Sequence, residues 1–144
     1  MDTGNVFLRA RATGLGLRLR VKLDSLIIYD QELTEKFVII THQFKDSIEQ
    51  EHLLEIEMSN KMANHTVLDN NNQIVQDRVI ELETVSLNDI ELGQVFLDAA
   101  RYYHDFNGSQ PAVEDQFYGI MGCNGIVKLK FRSPVYLWLL ENAR

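Results

Sequence analysis

The strict alternation of apolar and polar residues between Leu15 and Leu23 constrains the fold more than any other feature of this 144-residue chain. Every odd position in this segment is apolar, and the even positions include Arg18, Arg20 and Lys22. A period of two places successive side chains on opposite faces of an extended strand. The segment is therefore predicted to be a strand of a sheet with one buried and one charged face.

Similar patterns recur every ten to fifteen residues along the chain. Leu54, Ile56 and Met58 alternate with glutamates, while the continuous apolar run at residues 37–40 is typical of a strand covered on both faces or of a central strand. The apolar positions of Val79–Leu87 change parity between Leu82 and Val85, which indicates a β-bulge. These segments predict an all-β chain.

Three later segments are predicted from turn signals and spacing. Asn124-Gly125 is a turn dipeptide and predicts a hairpin between residues 117–121 and 126–132. Leu92–Tyr103 fits both helical and strand spacing, and we favour a strand. Ser133-Pro134 is a helix start signal, so a short C-terminal helix or an aromatic strand follows it. The economical fold class is an antiparallel β-sandwich, jelly-roll-like, with a short C-terminal helix.

Charge and composition exclude several classes of function. Fourteen Lys and Arg against twenty-one Asp and Glu give a net charge of -7, which argues against a nucleic-acid binder or a protein of anionic membrane surfaces. No apolar run approaches the roughly 18 residues that span a bilayer. Residues 1–14 contain no long apolar stretch and no cleavage site, so a secretory signal is not expected. One cysteine excludes an internal disulfide framework.

The charges are segregated by strand. The alternation gives acidic stripes at Glu55/Glu57 and Glu81/Glu83. Stripes on neighbouring strands would form cross-strand ion pairs, each contributing a few tenths of a kcal/mol. Stripes on different surfaces would instead meet across a repeated subunit contact and direct assembly into a homo-oligomer. The candidate assembly residues are the two cationic stripes, Arg18, Arg20, Lys22, Lys128, Lys130 and Arg132.

No pattern of catalytic or metal-ligating residues is evident. The four histidines are scattered, without a pair at metal-ligand spacing, and Cys123 lies beside a turn rather than at a helix N-terminus. Neither a metal site, a cofactor nor an enzyme is predicted. Calcium held between sandwich loops stays open, because such sites are not local in sequence. The aspartates that could supply it are Asp24, Asp30, Asp98 and Asp105.

The densest group of potential binding side chains lies between residues 102 and 108. Tyrosine rings beside Asp, Asn and His can stack on the apolar face of a sugar and hydrogen-bond its hydroxyls. The same residue types form protein-protein hot spots, or fill a sandwich core while the loop merely turns the chain. The candidate binding residues, for a glycan or another partner, are Tyr103, His104, Asp105, Asn107 and Tyr118.

Four runs in the last third of the chain carry a resemblance: His104–Pro111, Phe117–Gly119, Met121–Gly125 and Pro134–Asn142. Together they resemble an uncharacterised group of small proteins encoded by tailed myophages of marine cyanobacteria and by ocean metagenome fragments. The resemblance implies a phage origin and a virion-associated role, and it supplies no activity or site residues. Residues 1–14 depart from the group, so we expect a variable or flexible N-terminal arm beside one β-sandwich domain of residues 15–144.

Two functions follow as hypotheses. The first is a non-enzymatic structural or interaction protein that self-assembles or joins other virion proteins, located in the virion or the host cytoplasm. The second is a carbohydrate-binding module, with calcium assistance left open.

Overall fold

The computed structural model describes residues 3–142. Over this range the chain forms thirteen strands, two α-helices and a 3₁₀ turn at Ala63–His65. The first strands are Thr3–Ala12 (β1), Arg18–Leu23 (β2), Leu26–Glu32 (β3), Val38–Lys45 (β4), Gln50–Ser59 (β5), Thr66–Leu68 (β6) and Ile74–Asp77 (β7). They are followed by Ile80–Leu87 (β8), Ile90–Glu91 (β9), helix Gln94–Ala99 (α1), Arg101–His104 (β10), Val113–Gln116 (β11), Ile120–Met121 (β12), Gly125–Ser133 (β13) and helix Val135–Asn142 (α2).

Two antiparallel sheets face each other across one core. The five-stranded sheet has the order β12-β8-β1-β4, with β9 also paired to β8. The six-stranded sheet has the order β11-β10-β13-β5-β2-β3, and β6 and β7 form a separate two-stranded hairpin. The inner faces of both sheets supply one cluster of buried apolar side chains. The predicted antiparallel β-sandwich with a short C-terminal helix is confirmed.

The alternation at residues 15–23 produces the predicted half-buried strand. Leu19, Val21 and Leu23 of β2 point into the core and are at most 4% exposed, whereas Leu15 lies before the strand and is 59% exposed. The parity change in β8 is also confirmed as a bulge. Residues on β1 are in register with Thr84 and then with Leu82, so that Glu83 is the extra residue.

The prediction that residues 1–14 form a flexible arm is wrong for the residues that β1 contains; Met1 and Asp2 lie outside the described residues. β1 is hydrogen-bonded to β4 on one side and β8 on the other, which places it in the middle of the five-stranded sheet. Val6, Leu8 and Ala10 are fully buried. Because these side chains fill the core, the N-terminal segment belongs to the sandwich domain.

The predicted hairpin at Asn124-Gly125 is also wrong. The preceding strand β12 pairs with β8 in the five-stranded sheet, whereas β13 pairs with β10 and β5 in the six-stranded sheet. The chain therefore crosses from one sheet to the other at residues 122–124. A turn dipeptide reports a local change of direction and does not report which strands pair.

Two further segments differ from their predictions. Leu92–Tyr103 is not one strand: it forms α1 and then β10, because Phe96 at a helical position packs edge-on against Phe117 with ring centroids 5.8 Å apart. The apolar run at residues 37–40 leads into β4, which lies at the edge of the five-stranded sheet rather than at its centre, and it is covered on one face only, since Ile40 is buried and Ile39 is 61% exposed. No helix between residues 3 and 142 is long and apolar enough to cross a membrane.

Candidate functional site

An open groove of about 760 Å³ lies at one end of the six-stranded sheet, where β5 and β10 end and β11 and β13 begin. The outward face of β13 contributes Ile126 and Lys128 to it, and β10 contributes Tyr103. The loops around the groove add polar side chains and short apolar ones. These are Asn60, Asp105, Ala112 and Asn124, while Glu57, Met58 and Ser59 of β5, His104 of β10, Val113 and Glu114 of β11 and Gly125 of β13 complete the lining.

Tyr103 provides the aromatic surface of the groove. Its side chain lies on the outer face of the sheet, with the residue 37% exposed. The Lys128 ammonium lies 5.1 Å from the ring centroid, and the Tyr103 hydroxyl donates to Oε1 of Glu114 at 3.3 Å. Partial burial, together with the neighbouring Glu114 carboxylate, raises the pKa of Tyr103. The phenol is therefore a neutral ring with a hydrogen-bonding hydroxyl.

His104 contributes to the groove differently from its prediction as a binding residue. Its side chain is 6% exposed and points inward, with the ring centroid 4.5 Å from that of Tyr102. Nε2 lies 2.7 Å from Oδ2 of Asp115, and Nδ1 accepts a hydrogen bond from the backbone N–H of Phe106. His104 therefore braces the loop that begins after β10, while its imidazole nitrogens are engaged within the protein.

Asp105 and Asn107 lie in the loop beside the groove. Asp105 lines the groove, and its Oδ1 accepts a hydrogen bond from Gly108 N–H at 2.9 Å. Asn107 has a positive φ of 59° and uses its Oδ1 to accept from the backbone N–H of Asn124 at 2.8 Å. Asn107 thus supports a groove residue rather than lining the groove itself.

Tyr118 lies outside the groove. It is 73% exposed and lines shallow depressions beside Phe96 of α1 and Ile120 of β12. The structure therefore gathers Tyr103, His104 and Asp105 at the groove, with Asn107 behind its rim, and places Tyr118 elsewhere.

The sequence prediction missed several lining residues, most clearly Ile126, Asn60 and Asn124. Ile126 carried a signal, because it is apolar at a position where the alternation of β13 places charged residues on the outer face. Asn60 and Asn124 follow or precede strands and were indistinguishable from ordinary turn residues. Their common location depends on contacts between distant segments.

The charged stripes lie next to one another on the six-stranded sheet. The acidic stripe of β5 lies between the two cationic ones, with Glu55 in register with both Lys22 and Lys128. Arg18 Nε donates to Asp30 Oδ1 at 2.7 Å, and this hydrogen bond holds the pKa of Asp30 below its usual value. This arrangement matches the interpretation that stripes on neighbouring strands form cross-strand ion pairs. Assembly through the cationic stripes stays a prediction.

An Asp–His–Ser arrangement is present, in which His52 and Ser133 are buried and the Asp24 side chain is 35% exposed. His52 Nδ1 lies 2.6 Å from Asp24 Oδ2, and Nε2 lies 3.1 Å from Ser133 Oγ. Ser133 is 2% exposed and donates its hydroxyl proton to the carbonyl of Ile48. The ring centroid of Phe131 lies 5.1 Å from that of the imidazole. Because its hydroxyl is buried and already donating, Ser133 is placed as a structural residue.

The four candidate calcium aspartates are not gathered into one site. Asp24 is engaged with His52, Asp30 with two arginines, and Asp98 accepts from the side-chain amide of Gln94. Across residues 3–142, no three His, Cys, Asp or Glu side chains are grouped so that they could hold a metal ion. Within the described residues, these aspartates therefore do not form a shared carboxylate centre.

Comparison with known proteins identifies a shared fold. No protein-family model and no curated protein matches the chain. Solved structures with a similar fold include the selenomethionine form of vCBM60, described under "Circular permutation provides an evolutionary link between two families of calcium-dependent carbohydrate binding modules". Its TM-score is 0.54 at 12% identity, over 88% of this chain and 89% of that chain. A second, "vCBM60 in complex with galactobiose", has a TM-score of 0.51 at 12% identity, over 87% of this chain and 96% of that chain.

Proposed function

We propose that this protein binds a glycan, without catalysis, in the groove at the end of the six-stranded sheet. The observation that carries the proposal is the exposed Tyr103 ring, which lies in a groove rimmed by carboxylate and amide side chains. The fold shared with vCBM60, of which one structure holds galactobiose, supports the same function.

The groove offers both kinds of contact that a sugar requires. The Tyr103 ring and the neighbouring Ile126 provide an apolar surface for the C–H face of a pyranose. Asn60, Asp105 and Asn124 supply acceptors and donors for its hydroxyl groups. The volume of about 760 Å³ is typical of small-ligand sites, which span roughly 300–1,000 Å³.

The charges of the lining favour neutral glycans. Among the lining residues, Glu57, Asp105 and Glu114 carry carboxylates and Lys128 carries an ammonium, while guanidinium groups outside the lining lie 3.9 Å from Glu57 and 4.0 Å from Glu114. Like charges brought together in a partly dehydrated groove repel each other. We therefore expect uronic acid or sulfated glycans to bind more weakly than neutral ones.

The test is isothermal titration calorimetry with galactobiose as the first probe, followed by an array of neutral and acidic glycans. Tyr103→Ala is expected to weaken binding about tenfold or more, because it removes the stacking surface. Tyr118→Ala is the matched control, since Tyr118 is an exposed tyrosine outside the groove. Equal losses in both variants, or no binding across the array, would contradict the proposal.

Calcium assistance is tested by the same titration with and without a chelator. We expect binding to survive chelation, because Asp24 and Asp30 are engaged by His52 and by arginines. Loss of binding on chelation would restore the calcium hypothesis.

The self-assembling virion protein stays a prediction. The cationic stripes on which it depends include Arg18, Arg20 and Arg132, whose guanidinium groups are paired with carboxylates of the same chain. Because these arginines are already paired within the chain, they attract the carboxylates of a second copy less strongly. Glycan binding is therefore the function that the geometry supports better.

A further inference from the structure

A buried lysine lies directly behind the groove. The Lys61 side chain is 3% exposed, and its Nζ donates to Oδ1 of Asp77 at 2.7 Å and to the carbonyl of Gly122 at 2.6 Å. Asp77 also accepts from the Thr66 hydroxyl at 2.7 Å. Burial works to raise the pKa of Asp77, but the hydrogen bonds from Lys61 and Thr66 outweigh it and hold this pKa below its usual value. The ammonium therefore joins the base of the β6–β7 hairpin to the crossover between the sheets.

The backbone of Lys61 is held by a second set of bonds. Its N–H donates to Oδ1 of Asn124 at 2.8 Å, and Nδ2 of Asn124 donates back to the Lys61 carbonyl at 3.1 Å. The Asn124 N–H in turn donates to Oδ1 of Asn107. Three loops, at residues 60–61, 105–108 and 122–124, are thus connected through Asn124.

Two of the residues so connected belong to the groove. Asn60, which immediately precedes Lys61, and Asn124 both line it. Asn60 also has a positive φ of 69°, a conformation that is costly outside glycine and needs support from its surroundings. A buried ammonium must keep its partners, because an unpaired charge out of water is strongly unfavourable. The Lys61 contacts therefore restrict the loops to one geometry.

We propose that Lys61 is a positioning residue that fixes Asn60 and Asn124 in the geometry that binds the ligand. Lys61 does not line the groove and acts through these neighbours. The consequence for affinity rests on the proposed glycan function, whereas the ordering of the loops does not depend on it.

Cys123 provides a readout of loop order that requires no ligand. It is the one cysteine of the chain, is partly buried, and lies between Gly122 and Asn124. Its backbone N–H donates to the Tyr102 hydroxyl at 2.9 Å, and that hydroxyl donates to its carbonyl. Burial raises the pKa of the Cys123 thiol, which slows its reaction with disulfide reagents. Release of the crossover loop would expose the thiol and accelerate this reaction.

The experiment uses the double variant Lys61→Met/Asp77→Leu, which removes the buried ammonium and its partly buried carboxylate partner together, so that neither charge is left unpaired. Lys130→Met is the matched control, because Lys130 is an exposed lysine outside the groove. In the double variant we expect Cys123 to react with a disulfide reagent about tenfold faster, because local opening becomes easier. Amide exchange at residues 122–125 should rise as well. The affinity for galactobiose should fall about tenfold. In the Lys130→Met control, thiol reactivity, amide exchange and affinity should equal those of the parent protein.

A double variant that folds with unchanged thiol reactivity, amide exchange and affinity would overturn the proposal. A lower thermal midpoint without any change in thiol reactivity or in amide exchange at residues 122–125 would also overturn it. That result would show that Lys61 stabilises the whole domain rather than these loops. If the parent protein binds no glycan, the proposed function fails. The thiol and exchange measurements still decide whether Lys61 orders the loops.

Discussion

Two buried polar clusters lie near opposite ends of β5, and they differ in what surrounds them. The His52 cluster joins His52, near the start of the strand, to Asp24 and Ser133. The Lys61 cluster lies just beyond the other end of the strand and joins Lys61 to Asp77 and to the crossover loop. His52 and Lys61 are 2% and 8% exposed, so burial alone does not distinguish the clusters.

The difference lies in their neighbours. The His52 ring packs between aromatic side chains, with centroids 5.0 Å from Phe44 and 5.1 Å from Phe131. Its hydrogen bonds join β5 to Asp24 and to Ser133 of β13, and none of its residues lines the groove. The Lys61 cluster instead bonds to the backbone of loops that form the groove. Both clusters contain a buried group whose hydrogen bonds are satisfied. The His52 cluster stabilises the core at one end of β5, and the Lys61 cluster positions the candidate site at the other end.

The largest effect is expected for His52→Ala. This change removes a ring from an aromatic cluster and leaves Asp24 and Ser133 without their partner, so we expect a loss of about 3 kcal/mol or more in the free energy of unfolding. Urea denaturation measures it, with His42→Ala, at a partly exposed histidine, as the milder control. Glycan affinity of the folded fraction should not change. If His52→Ala lowered the glycan affinity as much as Lys61→Met/Asp77→Leu does, the two clusters would not differ in their effect on the groove.

A smaller effect is expected from acid. The lowered pKa of Asp77 means that its ionised form is favoured by folding. Its contribution to stability is therefore complete above the ordinary aspartate pKa, about 4, and is lost as the pH falls through the lower folded value.

Thermal midpoints recorded at decreasing pH check this expectation. In Asp77→Asn, the thermal midpoint should fall less steeply with decreasing pH than in the parent protein. The Cys123 thiol should also react faster at pH 7, because the ion pair with Lys61 is missing. If the thermal midpoint falls equally with decreasing pH in the parent and in Asp77→Asn, ionised Asp77 does not stabilise the folded protein.

The smallest effect is expected on the exposed stripes. Arg18 and Arg20 have side chains about 40% exposed, and screened pairs of this kind contribute about 0–1 kcal/mol. Arg18→Ala should therefore change the free energy of unfolding by less than about 1 kcal/mol. Light scattering after size-exclusion chromatography should give the same mass at low and high salt. An oligomer that dissociates with salt would instead support assembly through the stripes.

The sequence predicted the fold class and part of the site because both depend on local patterns. Alternation identified β2, β5 and β13 and the faces of their side chains. The cluster of aromatic and polar residues after position 102 marked Tyr103 and Asp105. β1 was missed although Ala10 and Ala12 alternate with arginines, because Phe7 interrupts the alternation between Val6 and Leu8 and alanine is a weak apolar signal. The Leu92–Tyr103 segment was ambiguous because its apolar residues fit two periods.

Local patterns were enough to identify β2, β5 and β13 as extended, to show which of their side chains face inward, and to locate the bulge in β8, since the period of a strand depends only on its own residues. Packing between distant segments was needed to show that residues 122–124 cross between the sheets and that Tyr118 lies outside the groove that Tyr103 lines. It also decided that Lys61 meets Asp77, 16 positions away, and Asn124, 63 positions away. A buried ammonium requires partners on every side, and only the packing of distant segments supplies them.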